Sequence, residues 1–274
     1  MPLIDFDAEF ERVMRRWMKE NQERFKGNLD RMEEEVPEVY LQFLETPAAF
    51  LDGQSPRAYF EHYTDPAELL SLLGLYLRED VPVPDLLLER ITELPGAEAA
   101  LTAFLWDGKT PEEGRMMAIS LLEELESTAP LADYVRYIAR APGKDDAAEH
   151  MAEALCHMGQ GVVEPILEAY AEAPEAAQDL FCDVLSNFRG DSRITQLLRE
   201  RFAKGQNLAL YASYLAKYGD ESALPDLMAA CEDPGLSYLD FVEISNAIEA
   251  LGGEAPSGRE YAGDPYYEAL SRME

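Results

Sequence analysis

The sequence predicts an all-α fold built from antiparallel helix pairs, on three observations. Apolar residues recur at helical spacing in segment after segment. Glycines that can end one helix are followed by Asp or Ser residues that can cap the next, at an interval near thirty residues. A hydrophobic content of 47% over 274 residues supplies enough apolar surface for a continuous core. A helix pair that cannot bury its apolar face alone must stack on a copy of itself.

The first element is a helix whose Phe6, Phe10, Val13, Met14, Trp17 and Phe25 lie close to one face, the stripe expected of an end-capping element. Two further helix starts are predicted at Ser55 followed by Pro56 and at Asp65 followed by Pro66, each a capping residue ahead of a proline. The stretch "VPVPDLLLERITELPGAEAALTAFLW" adds a proline-bounded helix, then a turn at Pro95 and Gly96. The main composition break, "APGKDDAAE" at 141–149, reads as an inter-repeat turn rather than a hinge.

The repeat is clearest beyond that break. "LCHMGQGVVEPIL", "LSNFRGDSRITQLL" and "YLAKYGDESALPDLM" share an apolar helix end, a glycine and a second apolar helix. Gly159, Gly190 and Gly219 are spaced by 31 and 29 residues, and Leu155, Leu185 and Leu215 by 30 and 30. A weaker fourth copy ends at "IEALGG", where Ile248 and Gly252 lie 33 residues past Leu215 and Gly219. Asp191 or Asp220, beside Ser192 or Ser222, is the expected cap of the second helix, and Pro165 and Pro225 fall in first turns, where a missing amide costs little. The second helices carry the stripes Val163, Ile166, Leu167, Tyr170; Ile194, Leu197, Leu198, Phe202; and Leu224, Leu227, Met228, Cys231.

Paired helices of about thirty residues per unit, with Gly-Asp and a proline opening the second helix, resemble the HEAT-like repeat family, in particular the short repeats named after phycobilisome lyases. The resemblance covers 145–252 and implies a right-handed α-solenoid used mostly to bind other proteins. The expected organisation is a helical N-terminal cap over 1–60 and a solenoid over 61–274, with an atypical end at 253–274, in one continuous unit. A second resemblance is confined to "FLETPAAFLDGQSPRAYF" at 43–60, which looks like the toxin-binding segment of antitoxins of the Xre, MbcA and ParS type.

Against 23 basic residues stand 54 acidic ones, a formal charge of -31 that repels phosphate backbones and anionic membrane surfaces. No nucleic-acid or membrane partner is expected, and no stretch is long and apolar enough to cross a bilayer as a helix. The opening "MPLIDFDAEFERVMRR" puts acids where a secretory signal carries positive charge, so the expected location is cytoplasmic. Cys156, Cys182 and Cys231 are isolated from one another and read as small buried apolar residues.

Chemistry-bearing patterns are sparse. His150, Glu153 and His157 have helical spacing suited to a shared metal ion, but rotation at about 100° per residue sets them opposite Met151, Leu155 and Met158, on a solvated face. "GQGVVE" at 159–164 lacks the third glycine of a dinucleotide fingerprint and follows a helix, so it reads as a turn. His62 sits among aromatics, and the Tyr211, Tyr214, Tyr218 series reads as packing. The locally basic stretch 188–204 reads as a source of inter-helix ion pairs. No metal and no cofactor are expected.

The functional expectation is a non-enzymatic scaffold that binds a peptide or protein segment along a surface lined by second helices. Polar positions beside the apolar stripes, Glu164, Glu168, Gln196 and Arg199, are the expected binding residues. The alternatives are an enzyme on a HEAT-like scaffold, lyase-like or metal-dependent, and a toxin-binding protein acting through 43–60. HEAT-like repeats also occur in DNA alkylpurine glycosylases, a version that the acidic charge opposes.

Overall fold

A computed structural model describes residues 3–25, 28–141, 143–257 and 260–272. Every regular element among them is helical, with helices packed on their neighbours. They form two compact units, Met1–Ser127 and Thr128–Glu274.

The first unit contains α1 (Phe6–Phe25), α2 (Leu29–Glu33), α3 (Val36–Glu45), α4 (Pro66–Arg78), α5 (Asp85–Glu93), α6 (Ala97–Trp106) and α7 (Glu112–Glu124), with a short 3-10 turn at Ala49–Leu51. Asp65 caps α4 by accepting the Ala67 N–H at 2.9 Å, with Pro66 in the first turn where its missing amide is tolerated. The core is aliphatic where α4 to α7 meet, with Leu69, Leu73, Leu87, Ile91, Leu101 and Ile119 fully buried.

Two expectations fail here. Phe6 and Phe25 at the ends of α1 are buried, but Phe10, Val13, Met14 and Trp17 are only half-covered. The described helices packed on α1 are the short α2 and α3, too little surface to enclose a stripe of five turns. Ser55-Pro56 opens no regular helix either. Successive i to i+3 bonds, from Ala58 N–H to Ser55 O and on to Tyr63 N–H to Phe60 O, make a chain of tight turns instead.

The second unit contains α8 (Leu131–Ile138), α9 (Asp146–His157), α10 (Val163–Tyr170), α11 (Glu175–Leu185), α12 (Ser192–Ala203), α13 (Leu208–Tyr218), α14 (Leu224–Cys231), α15 (Tyr238–Ala250) and α16 (Pro265–Ser271). The 141–149 stretch joins α8 to α9 inside this unit, although Pro142 lies outside the described residues. Helix α9 packs on α11, α11 on α13 and α13 on α15, while α8, α10, α12 and α14 each pack on the helix that follows them in sequence.

Local chemistry explains the turns between α9 and α14. Asp191 accepts the Arg193 N–H and Asp220 the Ser222 N–H, each at 2.9 Å, so both cap as expected. Gly219 ends α13 with φ +79° and donates its N–H to Leu215 O at 3.0 Å. A Cβ there would be strained by that φ and would also fall 2.9 Å from the Arg189 guanidinium carbon. The stripes of the second helices are largely inside, with Val163, Ile166, Ile194, Leu198, Phe202, Leu227 and Cys231 buried. Leu167, Tyr170, Leu197 and Leu224 are half-buried, and Met228 is 38% exposed.

Candidate functional site

Three of the four residues singled out on the second helices line two grooves of the second unit. One, of about 530 Å³, runs between α12 and the start of α14 and is lined by Thr195, Gln196, Arg199, Glu200, Asp220 and Asp226. The other, of about 500 Å³, runs between α8 and α10, with Arg136 and Arg140 on one wall and Glu168 and Glu172 on the other. Gln196 and Arg199 thus share the first groove and Glu168 lies in the second. Glu164 lines neither; it reaches from α10 to α12, where the Arg193 Nη2 donates to it at 2.7 Å.

Ion pairing shapes both grooves. Arg199 Nε donates to Asp226 Oδ2 at 2.5 Å across the first, with both side chains more than a third exposed. Thr195 donates to Asp220 Oδ2 at 2.6 Å while the other carboxylate oxygen caps α14's 3-10 lead-in. These hydrogen bonds, that from Thr195 foremost, hold the Asp220 carboxyl below its ordinary range. Arg193 does the same for Asp191 and Glu164. In the second groove Arg136 pairs with Asp133 at 2.5 Å on its own helix.

Sequence reasoning missed the opposite walls, namely Asp220 as a groove residue, Asp226, Arg136 and Arg140. A signal was present. Glu164 and Arg193 stand 29 residues apart and Arg199 and Asp226 stand 27 apart, each near the repeat interval and of opposite charge.

Beneath the first groove's helix lies a buried polar cluster. Arg201, 4% exposed, donates from Nε to the Tyr211 hydroxyl at 2.7 Å, from Nη1 to Gln178 Oε1 at 3.2 Å and from Nη2 to Asp179 Oδ1 at 2.5 Å. The Tyr211 hydroxyl also donates to Asp179. Burial pushes that phenol far above its ordinary value, and the hydrogen bond to Asp179 adds to the effect, so it stays protonated. These hydrogen bonds join α11, α12 and α13.

Of the tyrosine series, Tyr211 and Tyr218 are buried as packing residues and Tyr214 is half-buried. The Tyr218 hydroxyl accepts the Gly190 and Asp191 N–H groups at 3.1 and 2.9 Å and donates to Asp191 O at 2.7 Å. Cys182 and Cys231 are buried, whereas Cys156 is only half-buried, because its Sγ faces the Asn187 amide at 3.3 Å at the rim of α11. Burial pushes the Cys156 and Cys182 thiols up to about 11 and about 12, which removes thiolate chemistry near neutrality.

His150 is half-buried while Glu153 and His157 are exposed on α9, opposite the fully buried Met151 and Leu155; Met158 is itself only half-buried. No group of three or more His, Cys, Asp or Glu side chains is placed to hold a metal ion among the described residues. No helix of the described residues is long and apolar enough to cross a membrane. The 43–60 segment forms the end of α3, the 3-10 turn and the first of the tight turns after Pro56.

Fold and grooves together define an all-helical protein that offers polar clefts between packed helices. No family model matches the chain, and neither a curated protein nor a solved structure matches it.

Proposed function

We propose that the second unit is a right-handed, HEAT-like α-solenoid that serves as a non-enzymatic scaffold, binding a peptide or protein segment across α8, α10, α12 and α14. The observation that carries this reading is the placement of Glu168 in one inter-helix groove and of Gln196 and Arg199 in another, both on second helices. The succession of α9 on α11, α13 and α15, with a glycine of positive φ after α9, α11, α13 and α15, supports the solenoid.

Each groove presents both charge signs. An extended segment carrying alternating acidic and basic side chains would replace the internal pairs with its own, at small cost because exposed ion pairs contribute only about 0–1 kcal/mol. Two shallow clefts on helices of one series favour a long, sequence-tolerant contact over a single deep pocket.

Site-specific photo-crosslinking tests the reading. A crosslinking residue at Glu168 or Gln196 is expected to capture a partner segment that the same residue at Glu153, exposed on α9, does not capture. With the crosslinker at Gln196, the double reversal Glu168→Lys and Arg199→Glu should abolish that capture. Equal capture from Glu153, or capture indifferent to the reversal, would rule the groove out.

A further inference from the structure

The turn after α3 closes on itself. Ala48 donates its N–H to Gln54 O at 2.9 Å and accepts the Gly53 N–H at 3.0 Å, with Leu51 buried as an anchor. The chain reverses through two successive left-handed residues, Asp52 at φ +52° and Gly53 at φ +87°. Asp tolerates that region better than most side chains, and the Asp52 side chain is exposed. The following turns are fixed in their own way, since Arg90 Nη2 donates to Tyr63 O at 3.1 Å.

Between these two walls lies a cavity of about 480 Å³ whose lining includes Ile4, Phe50, Asp52, Gln54, Tyr59 and His62. The Tyr59 and His62 rings stand 6.1 Å apart at 83°, forming a corner. The buried Phe6 ring props two of the walls, meeting Phe50 at 6.3 Å and 76° and Tyr59 at 5.7 Å and 61°. Ile4 is tied down in turn, because the Tyr76 hydroxyl donates to its carbonyl at 3.0 Å. The Phe50 and Tyr59 rings are therefore positioned before any ligand arrives, which lowers the entropy lost on binding, while the exposed His62 ring rests against Tyr63 at 4.1 Å.

Among the described residues on this lining, Asp52 is the one carboxylate and there is no Lys or Arg. Tyr59 registers the local field: burial first, then Tyr63 and Asp52, push its phenol above the ordinary value. Aromatic faces carry negative potential, so rings and carboxylate select against an anion together. A purely apolar ligand would strip water from Asp52 and Gln54 without replacing it.

We propose that this cavity in the first unit binds an organic monocation of the alkylammonium class, its charge held against the Tyr59 and His62 rings and neutralised by Asp52, its carbons against Ile4 and Phe50. Free quaternary amines and lysine side chains of a partner share that chemistry. The site is independent of the grooves of the second unit.

The full-length protein is titrated with choline and with 3,3-dimethyl-1-butanol, its uncharged isostere, while the ring protons of His62 are followed by NMR and assigned with His62→Gln. Choline should give a saturable shift with a dissociation constant of about 1 mM or below, and the isostere should bind at least about tenfold more weakly. Asp52→Asn, which keeps a side chain tolerant of the left-handed turn, should weaken choline about tenfold, and Tyr59→Leu by a similar factor. Acetylated, amidated lysine and trimethyllysine peptides form the second arm. Tighter binding of the peptides assigns the cation to a partner's side chain, and tighter binding of choline to a free amine; either supports the site. Absence of a saturable shift with every cation up to about 50 mM, or an isostere that binds as well as choline, overturns it. If Tyr59→Leu does not fold, the isostere comparison and Asp52→Asn decide alone.

Discussion

Between α1 and the turns after α3 in the first unit, rings do most of the joining that hydroxyls and guanidinium groups do between α11 and α13 in the second. The second unit's own ring cluster lies at its far end, where Tyr238 and Phe241 on α15 meet Tyr261 and Tyr267. Phe6, Phe50, Tyr59, Phe60 and Tyr63 form a continuous aromatic cluster that ties α1 to the turns after α3. In the second unit, Arg201 links α11, α12 and α13, while the Tyr218 hydroxyl at the end of α13 clasps the loop before α12. The difference follows from regularity. Apolar stripes on successive similar helices are nearly interchangeable, so contact area alone does not fix which helix meets which. Directional polar contacts do, because a wrong neighbour leaves a buried guanidinium unpaired. An irregular unit has no such ambiguity, and large rings of distinct shape suffice.

The strongest way to break this contrast is to remove one anchor from each side. Phe60 is 1% exposed, and Phe60→Ala should cost about 3–5 kcal/mol in the first unit. Both tryptophans, Trp17 and Trp106, lie in that unit, so their fluorescence during urea unfolding reads it selectively, with circular dichroism reading all helices. Arg201→Met should cost about 3 kcal/mol in the second unit, since Asp179 and the Tyr211 hydroxyl lose their cation. Adding Asp179→Leu should recover part of that loss, as pairs removed together are tolerated better than orphans. The expected signature is a tryptophan transition moved by Phe60→Ala and left in place by Arg201→Met. Equal movement in both variants would mean that the units unfold as one, and the comparison would fall.

The sequence exposed the two regions unequally. The caps at Asp65, Asp191 and Asp220 and the prolines at Pro66 and Pro225 were legible because each acts on amides within a few residues of itself. The stripe of α1 was legible as a pattern but not in its coverage, which depends on how much partner helix is available. Ser55-Pro56 misled because capping chemistry starts an α-helix and a 3-10 turn alike. In the grooves, one wall was readable from positions beside the apolar stripes, and the opposite wall was not, because it comes from another helix. The cavity lined by Asp52, Tyr59 and His62 was hidden for another reason: apart from Ile4, its walls are successive turns of one short stretch, and turns have no helical period that would set their side chains on a shared face.

A sharper, smaller test isolates one clasp. Tyr218→Phe keeps the ring, which is 4% exposed, and removes only the hydroxyl that serves Gly190 and Asp191. Leaving those amides without their acceptor should cost about 1–2 kcal/mol. Hydrogen exchange at Gly190 and Asp191 should accelerate, with exchange in α4 to α7 unchanged. If the two amides exchange as slowly as in the wild type, the clasp is dispensable and packing alone sets the contact between α13 and that loop.

The smallest expected effect separates the units by sign. Asp191 and Asp220 sit below their ordinary range because of the hydrogen bonds from Arg193 and Thr195 respectively. Their folded values lie under the unfolded ones, so their contribution is complete above about pH 4 and is lost as pH falls through the lowered values. Asp7 on α1 behaves oppositely: burial first, and then Asp5, Asp85 and Glu11, raise its carboxyl. Its folded value lies above the unfolded one, so protonation on acidification favours the folded first unit, and that gain fades as pH rises through the raised value. Each effect should stay below about 1 kcal/mol after solvent screening. Between pH 7 and about pH 3, Asp191→Asn with Asp220→Asn should flatten the acid loss seen by circular dichroism, since Asn still caps a helix. Asp7→Asn should instead raise the tryptophan-detected urea midpoint near neutrality and leave it unchanged in acid. An acid loss that persists undiminished in the double variant would move the cause from the caps to the general repulsion of a chain that becomes cationic as its 54 carboxylates protonate.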